Sequence, residues 1–226
     1  MNTIKVWDPF VRLFHWSLVS AVIAQLVTAE SYTSVHAVVG YFIVALLVLR
    51  ILWGFIGPKY ARFNNFIYPP TEIKGYLRGL LQGRPKHYTG HNPAGGAMVC
   101  VLLVLLLLIT LTGLLTYGAK GKGPFASPSA AGVTIARADE DHHPNADHGD
   151  SDHDVGDRKN MRDYGGHGAS SHFWKEIHET LVGVLIFLIV VHICGVAASS
   201  FLHKENLILA MITGRKPAPN PHRKNS

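Results

Sequence analysis

Cysteine is scarce. The 226 residues carry only Cys100 and Cys194, both inside apolar runs and neither with a partner at metal-ligand spacing. They read as small buried hydrophobes, not as thiolate metal ligands. No C-x-x-C-H occurs, so covalent c-type haem attachment is not indicated. Charge is scarce as well: 16% of residues are charged and 48% are hydrophobic. No basic stripe interleaved with aromatics lies outside the apolar runs, so the net charge of +6 does not read as nucleic-acid binding. Acidic side chains are almost missing from the apolar runs. Only Glu30, Glu176 and Glu179 border one, whereas a proton-relay transporter usually adds buried carboxylates.

The apolar residues are gathered, not spread. Runs near 18 or more residues with few charges read as membrane helices. Four occur: Phe14 to Val27, reaching about residue 30; Val35 to Ile56; Ala94 to Tyr117; and Phe173 to Phe201. The fold expected is an all-α membrane protein, a bundle of four transmembrane helices in a single domain spanning residues 1–226. The first run is the shortest, and a signal peptide competes with it. Trp7, Asp8 and Arg12 stand where a basic n-region belongs, and no convincing small-residue cleavage site follows.

With four spans, both termini and the second connection share one side. That side holds 14 of the Lys and Arg residues and the other side 7. The excess places both termini in the cytoplasm. The second connection contains "TEIKGYLRGLLQG", with Ile73, Tyr76, Leu77 and Leu80 at helical spacing. This predicts a short amphipathic helix on the membrane surface. The third connection, residues 118–171, includes "ADEDHHPNADHGDSDHDVGD". It has almost nothing to bury and is expected to be flexible. His142, His143, His148 and His153 there could collect metal ions, but their irregular spacing specifies no geometry.

The fourth run, "IHETLVGVLIFLIVVHICG", holds His178 and His192. Ionisable residues inside a span are costly and usually mark function. Fourteen residues at 100° each return His192 to within about 40° of His178, roughly 21 Å along the axis. That places the two near opposite leaflets of a hydrocarbon core about 30 Å thick. His15 opens the first span on the cytoplasmic side, and His36 opens the second on the outer side. By depth His15 pairs with His192 and His36 with His178. Two levels with two histidines each suit bis-histidine haem ligation in a helical bundle. Gly40, Gly183 and Gly195 put small residues near three of these histidines. The bland alternative is that each histidine is a polar core residue satisfied by a neighbour. A single zinc ion could not bridge levels so far apart.

At these residues the chain resembles the bacterial cytochrome b561 proteins and the b-type cytochrome subunits of membrane-bound nickel–iron hydrogenases. The pieces that carry the resemblance are "VWDPFVRLFHW", "VHAVVGYFIVALLVLRILWGFIGPKYARF", "GHNPAGGAM", the H-x13-H run and "FLHKENLILAMITGRK". They touch all four spans. The His/Asp-rich connection has no counterpart among them. The resemblance implies two haem b groups per chain, one on His15 and His192 and one on His36 and His178. It implies a multi-pass protein of the bacterial inner membrane. The expected role is electron transfer between a periplasmic redox partner (a hydrogenase small subunit or a c-type cytochrome) and membrane quinone. Alternatives are a superoxide:quinone oxidoreductase and, from another class, a haem-free metal or proton transporter. His91, in "GHNP", reads as structural or quinone-adjacent. His87 and His203 read as interfacial. Arg12 and Arg50 suit either haem propionates or phospholipid.

Overall fold

The computed structural model describes residues 3–29, 31–84, 86–88, 90–126 and 157–217. Four helices among them are long and apolar enough to cross a membrane. These are α1 (Pro9–Thr28), α2 (Thr33–Ile56), α4 (Pro93–Ala119) and α5 (Asp157–His203). Two shorter helices, α3 (Pro70–Leu81) and α6 (Leu207–Thr213), lie between and after them. The chain is a helical membrane protein. Its Cα positions divide into two compact units, residues 1–107 with 184–226, and residues 108–183.

In the first unit, α1 starts earlier than the apolar run. Asp8 caps it, its side chain accepting from the Val11 N–H at 3.1 Å, and Pro9 occupies the first turn. That pairing satisfies a backbone donor the helix cannot use and presets the entering φ. α1 packs on α2. At the end of α2 the buried Arg50 organises the following loop. Its Nη1 donates to the Ala61 carbonyl at 3.3 Å, and its guanidinium lies 5.2 Å from the Phe63 ring centre and 5.9 Å from that of Phe66. Aromatic faces and a carbonyl are suitable company for a cation with little water around it. Gly54 has no room for a Cβ, because the Phe63 ring fills that space. The amphipathic α3 forms as expected. Its Tyr76 is buried, with its hydroxyl 3.3 Å from Ser199 Oγ on α5.

The two ends of the chain meet. β1 (Thr3–Lys5) pairs antiparallel with β2 (Arg215–Pro217), with Ile4 opposite Lys216. Val6 and Trp7 donate N–H bonds to the Gly214 carbonyl at 2.9 and 3.2 Å. Arg12 Nη1 donates to the Ile212 carbonyl at 2.5 Å. Val6, Trp7 and Ala210 form a small buried cluster beneath this clasp. An even number of spans is required for the ends to pair in this way.

Two expectations need correction. The fourth helix extends beyond its apolar run, beginning at Asp157 and not near Phe173. Hydropathy marks the part of a helix that lies in hydrocarbon, not its polar extension, and an acidic first residue suits a helix N-terminus. The His/Asp-rich stretch before Asp157, with His142, His143, His148 and His153, lies outside the described residues. Secondly, Cys194 is exposed and Cys100 half-buried. A thiol behaves as a small hydrophobe, so it suits a lipid-facing position as well as a core one.

Gly214 ends α6 in the left-handed region, φ +79°, and a Cβ there would lie 2.7 Å from the Trp7 carbonyl oxygen. Gly214→Ala should therefore loosen the clasp by at least the roughly 1–2 kcal/mol of that backbone conformation. Faster tryptic cleavage at Lys5 and Arg215 in detergent would report it. Gly75→Ala, where a Cβ meets nothing within 4 Å, should leave cleavage unchanged and stabilise α3 slightly.

Candidate functional site

The four membrane histidines are all half-buried, on helices whose outward faces are apolar. In the first unit, His15 on α1 and His192 on α5 lie within electrostatic reach of one another. Two helices far apart in sequence thus bring these imidazoles within electrostatic reach of each other. His15 Nδ1 is sealed from solvent and has no hydrogen-bond partner among the described residues. His36, in the same unit, has its ring beside the Gln25 backbone.

In the second unit, His178 is held from below by α4. Its Nδ1 lies 3.0 Å from the Ile109 carbonyl oxygen and 3.2 Å from Thr112 Oγ1. A carbonyl only accepts, so Nδ1 must carry the proton and donate it. Thr112 Oγ1 in turn lies 3.0 Å from the same carbonyl and 3.0 Å from that of Leu108. The proton on Nδ1 makes Nε2 the lone-pair nitrogen of this imidazole. An outer hydrogen bond that sets tautomer and ring angle is the usual companion of a metal-ligating histidine.

A Cβ at Gly183 or Gly195 would meet nothing within 4 Å, and one at Gly40 would meet only the Gln25 side chain at 3.2 Å. The glycine that makes room for an imidazole is Gly113 on α4, where a Cβ would lie 3.1 Å from His178 Cε1. Sequence reasoning missed Ile109, Thr112 and Gly113 because their run, "ITLTG", is featureless until its facing helix is known. The one signal was the cluster of Thr110, Thr112 and Gly113 directly after a leucine-rich stretch.

Beneath the clasp lies His91. The residue as a whole keeps some accessible surface, but its ring is wedged 4.5 Å from the Trp7 ring centre and 4.7 Å from that of Phe66. Its Nδ1 is sealed and has no partner among the described residues. Its backbone carbonyl accepts from Tyr68 Oη at 3.3 Å. Desolvation of the ring, and then the nearby charges of Arg50, Lys216 and His192, push its pKa down to about 3. Asn92 beside it caps α4, its Oδ1 accepting the Gly95 N–H at 2.7 Å and its Nδ2 donating to Ser199 Oγ at 3.4 Å. Asn92 at the cap and Pro93 in the first turn are a favoured pair of residues for starting a helix. His87 and His203 keep their interfacial reading: their rings stack edge to face at 5.2 Å, and His87 is exposed.

Four long apolar helices, three of which carry histidine within their spans, define a helical membrane protein. A family model described as prokaryotic cytochrome b561 matches residues 6–214. The chain belongs to that family of b-type cytochromes. It is similar to the probable Ni/Fe-hydrogenase B-type cytochrome subunit of Azotobacter vinelandii, 27% identical over 153 residues, covering 54% of this chain and 62% of the relative. The probable Ni/Fe-hydrogenase 1 B-type cytochrome subunit of Escherichia coli (strain K12) is 25% identical over 153 residues, with 54% and 64% covered. The chain spans less than two thirds of the length of these curated relatives. No solved structure gives a significant match.

His91 generates a pH prediction. Its folded pKa is depressed, so its neutral form contributes stability that is complete above the unfolded value of about 6.5. That contribution is lost as pH falls from there towards 3. At pH 5 the loss should reach about 2 kcal/mol. Melting in detergent at pH 7 and pH 5 should therefore show a larger acid-induced drop for the native protein than for His91→Phe. Equal drops would mean that His91 is already charged in the folded chain.

Proposed function

We propose that this chain is a di-haem b-type cytochrome that carries electrons between a periplasmic redox partner and membrane quinone. The observation that carries the reading is His178, an imidazole deep in an apolar helix with its Nδ1 committed to the Ile109 carbonyl and its Nε2 set as the lone-pair nitrogen. The family supplies the group: a b-type cytochrome holds haem b. The residues suit it. His15 and His192 would hold one haem, and His36 and His178 the other. The sealed, unsatisfied Nδ1 of His15 belongs to an imidazole that protein atoms alone leave short of a partner. Leucine, valine, isoleucine and phenylalanine around the histidines exclude water. When bound, haem b supplies a reversible one-electron iron couple.

The partner is read from the relatives, which are named as hydrogenase cytochrome subunits. A nickel–iron hydrogenase small subunit on the periplasmic side is accordingly the donor we favour over a c-type cytochrome. The orientation rests on the 14-to-7 distribution of Lys and Arg. Both termini then face the cytoplasm of a bacterial inner-membrane protein, in keeping with their pairing in β1 and β2. Quinone reduction falls to the cytoplasmic end, near His15 and His192.

The test is ligand by ligand. His178→Ala and His192→Ala should each remove about half of the low-spin b-type signal, because each leaves one of two bis-imidazole sites intact. The double variant should remove all of it. Retention of the full low-spin spectrum in either single variant would overturn the ligand assignment.

A further inference from the structure

A chain of ionisable side chains runs inward from the cytoplasmic surface of the first unit, and the electron-transfer reading leaves it unused. At its outer end is the exposed His87, whose Nε2 lies 2.7 Å from Glu205 Oε1. Glu205 is largely enclosed in the turn between α5 and α6, and its Oε2 lies 3.5 Å from Lys216 Nζ. Lys216 is buried on β2, at 5% exposure. Behind it the clasp continues to Gly214, whose carbonyl holds the Trp7 N–H, and the Trp7 ring abuts His91. His91 in turn feels the charges of both Lys216 and His192. The contacting series runs from water at His87 to the buried Lys216, which lies within electrostatic reach of His91, as does His192. A buried ammonium, a shielded carboxylate and a surface imidazole are costly furniture for a clasp that apolar residues could close.

Resting on the proposed reading, we infer that His87, Glu205 and Lys216 form the proton inlet for quinone reduction at the cytoplasmic end. The chemistry requires one. A quinone becomes a quinol by taking two electrons and two protons, each C=O becoming C–O–H. The electrons come through the protein from the periplasmic donor, which is oxidised. The protons come from cytoplasmic water. Lys216 gives a proton inward, Glu205 passes the next one to it, and the exposed His87, whose ring nitrogen can both accept and donate a proton, collects protons from water. Burial lowers the Lys216 pKa while Glu205 opposes that shift, which suits an ammonium that must give up its proton and regain it. The groups facing Glu205 are His87 and Lys216, with His203 beyond His87 at 5.2 Å between ring centres.

The protein, reduced with dithionite, is mixed with a short-tailed ubiquinone analogue while haem reoxidation and proton uptake by an indicator dye are followed. In Glu205→Gln and Lys216→Met, dithionite should still give the full reduced b-type spectrum, which reports an intact fold. Reoxidation by quinone should slow at least tenfold at pH 7, with proton uptake slowing in step. Millimolar imidazole or acetate should restore Glu205→Gln, and Glu205→Asp should retain most of the native rate. His87→Ala should slow reoxidation and proton uptake in step, and millimolar imidazole should restore both. Native rates in both Glu205→Gln and Lys216→Met overturn the inlet. So does a slowed rate that resists rescue, since that marks a structural ion pair. Failure of the native protein itself to reduce the quinone would instead overturn the electron-transfer reading beneath it.

Discussion

An imidazole inside hydrocarbon must have its polar atoms answered, because water is absent and each unsatisfied group costs several kcal/mol. Much else in this chain follows from placing four of them there. Each sits on a helix whose remaining face is lipid-compatible, so the helix must turn one narrow polar edge inward. At His178 the answer is visible: the Ile109 carbonyl takes the Nδ1 proton, Thr112 reinforces the same turn of α4, and Gly113 leaves space for the ring. At His15 and His192 two separate helices bring imidazoles within electrostatic reach, and His15 Nδ1 has no described protein partner. Neighbouring imidazoles are natural ligands for a metal that accepts two nitrogens.

In the first unit the polar material is concentrated around the paired chain ends. Arg50 folds the loop after α2 around itself, Asn92 caps α4 and meets Ser199, and Glu205 holds both His87 and Lys216. The two chain ends close over this layer as a two-stranded clasp. The layer is built from residues that a simple anchor has no use for. In an electron carrier it can serve the place where electrons and protons meet, since hydrocarbon passes neither freely. Gly214 is the hinge of the clasp, its left-handed conformation letting the Trp7 carbonyl approach.

The spans were legible because length and hydropathy are a strong signal, and α3 was legible from its period. The four histidines stood out because a charged or polar group in an apolar run has few innocent reasons to be there. Helix ends were less legible. α1 begins at Pro9 because Asp8 caps it, a signal written in "WDP" but hidden by attention to the apolar run. α5 begins at Asp157, in polar sequence that hydropathy cannot register. α6 and the clasp went unread although Asn206 and Gly214 bracket a helix in the usual manner: Asn206 Oδ1 accepts the Leu209 N–H at 2.8 Å, and Gly214 closes the other end. The supports of His178 were beyond reach for a different reason. Ile109 contributes a backbone carbonyl, which any residue could supply, so only the pairing of α4 with the upper part of α5 identifies it.

The central claim is that the four histidines are two pairs, each holding one haem b. Its most direct measure is the ratio of haem to protein in the purified chain, by pyridine haemochrome absorbance against amino-acid analysis. The account predicts two haem b per chain, both low-spin. A ratio of one, or a protein that purifies as a folded chain without haem after expression with ample haem supply, would contradict it.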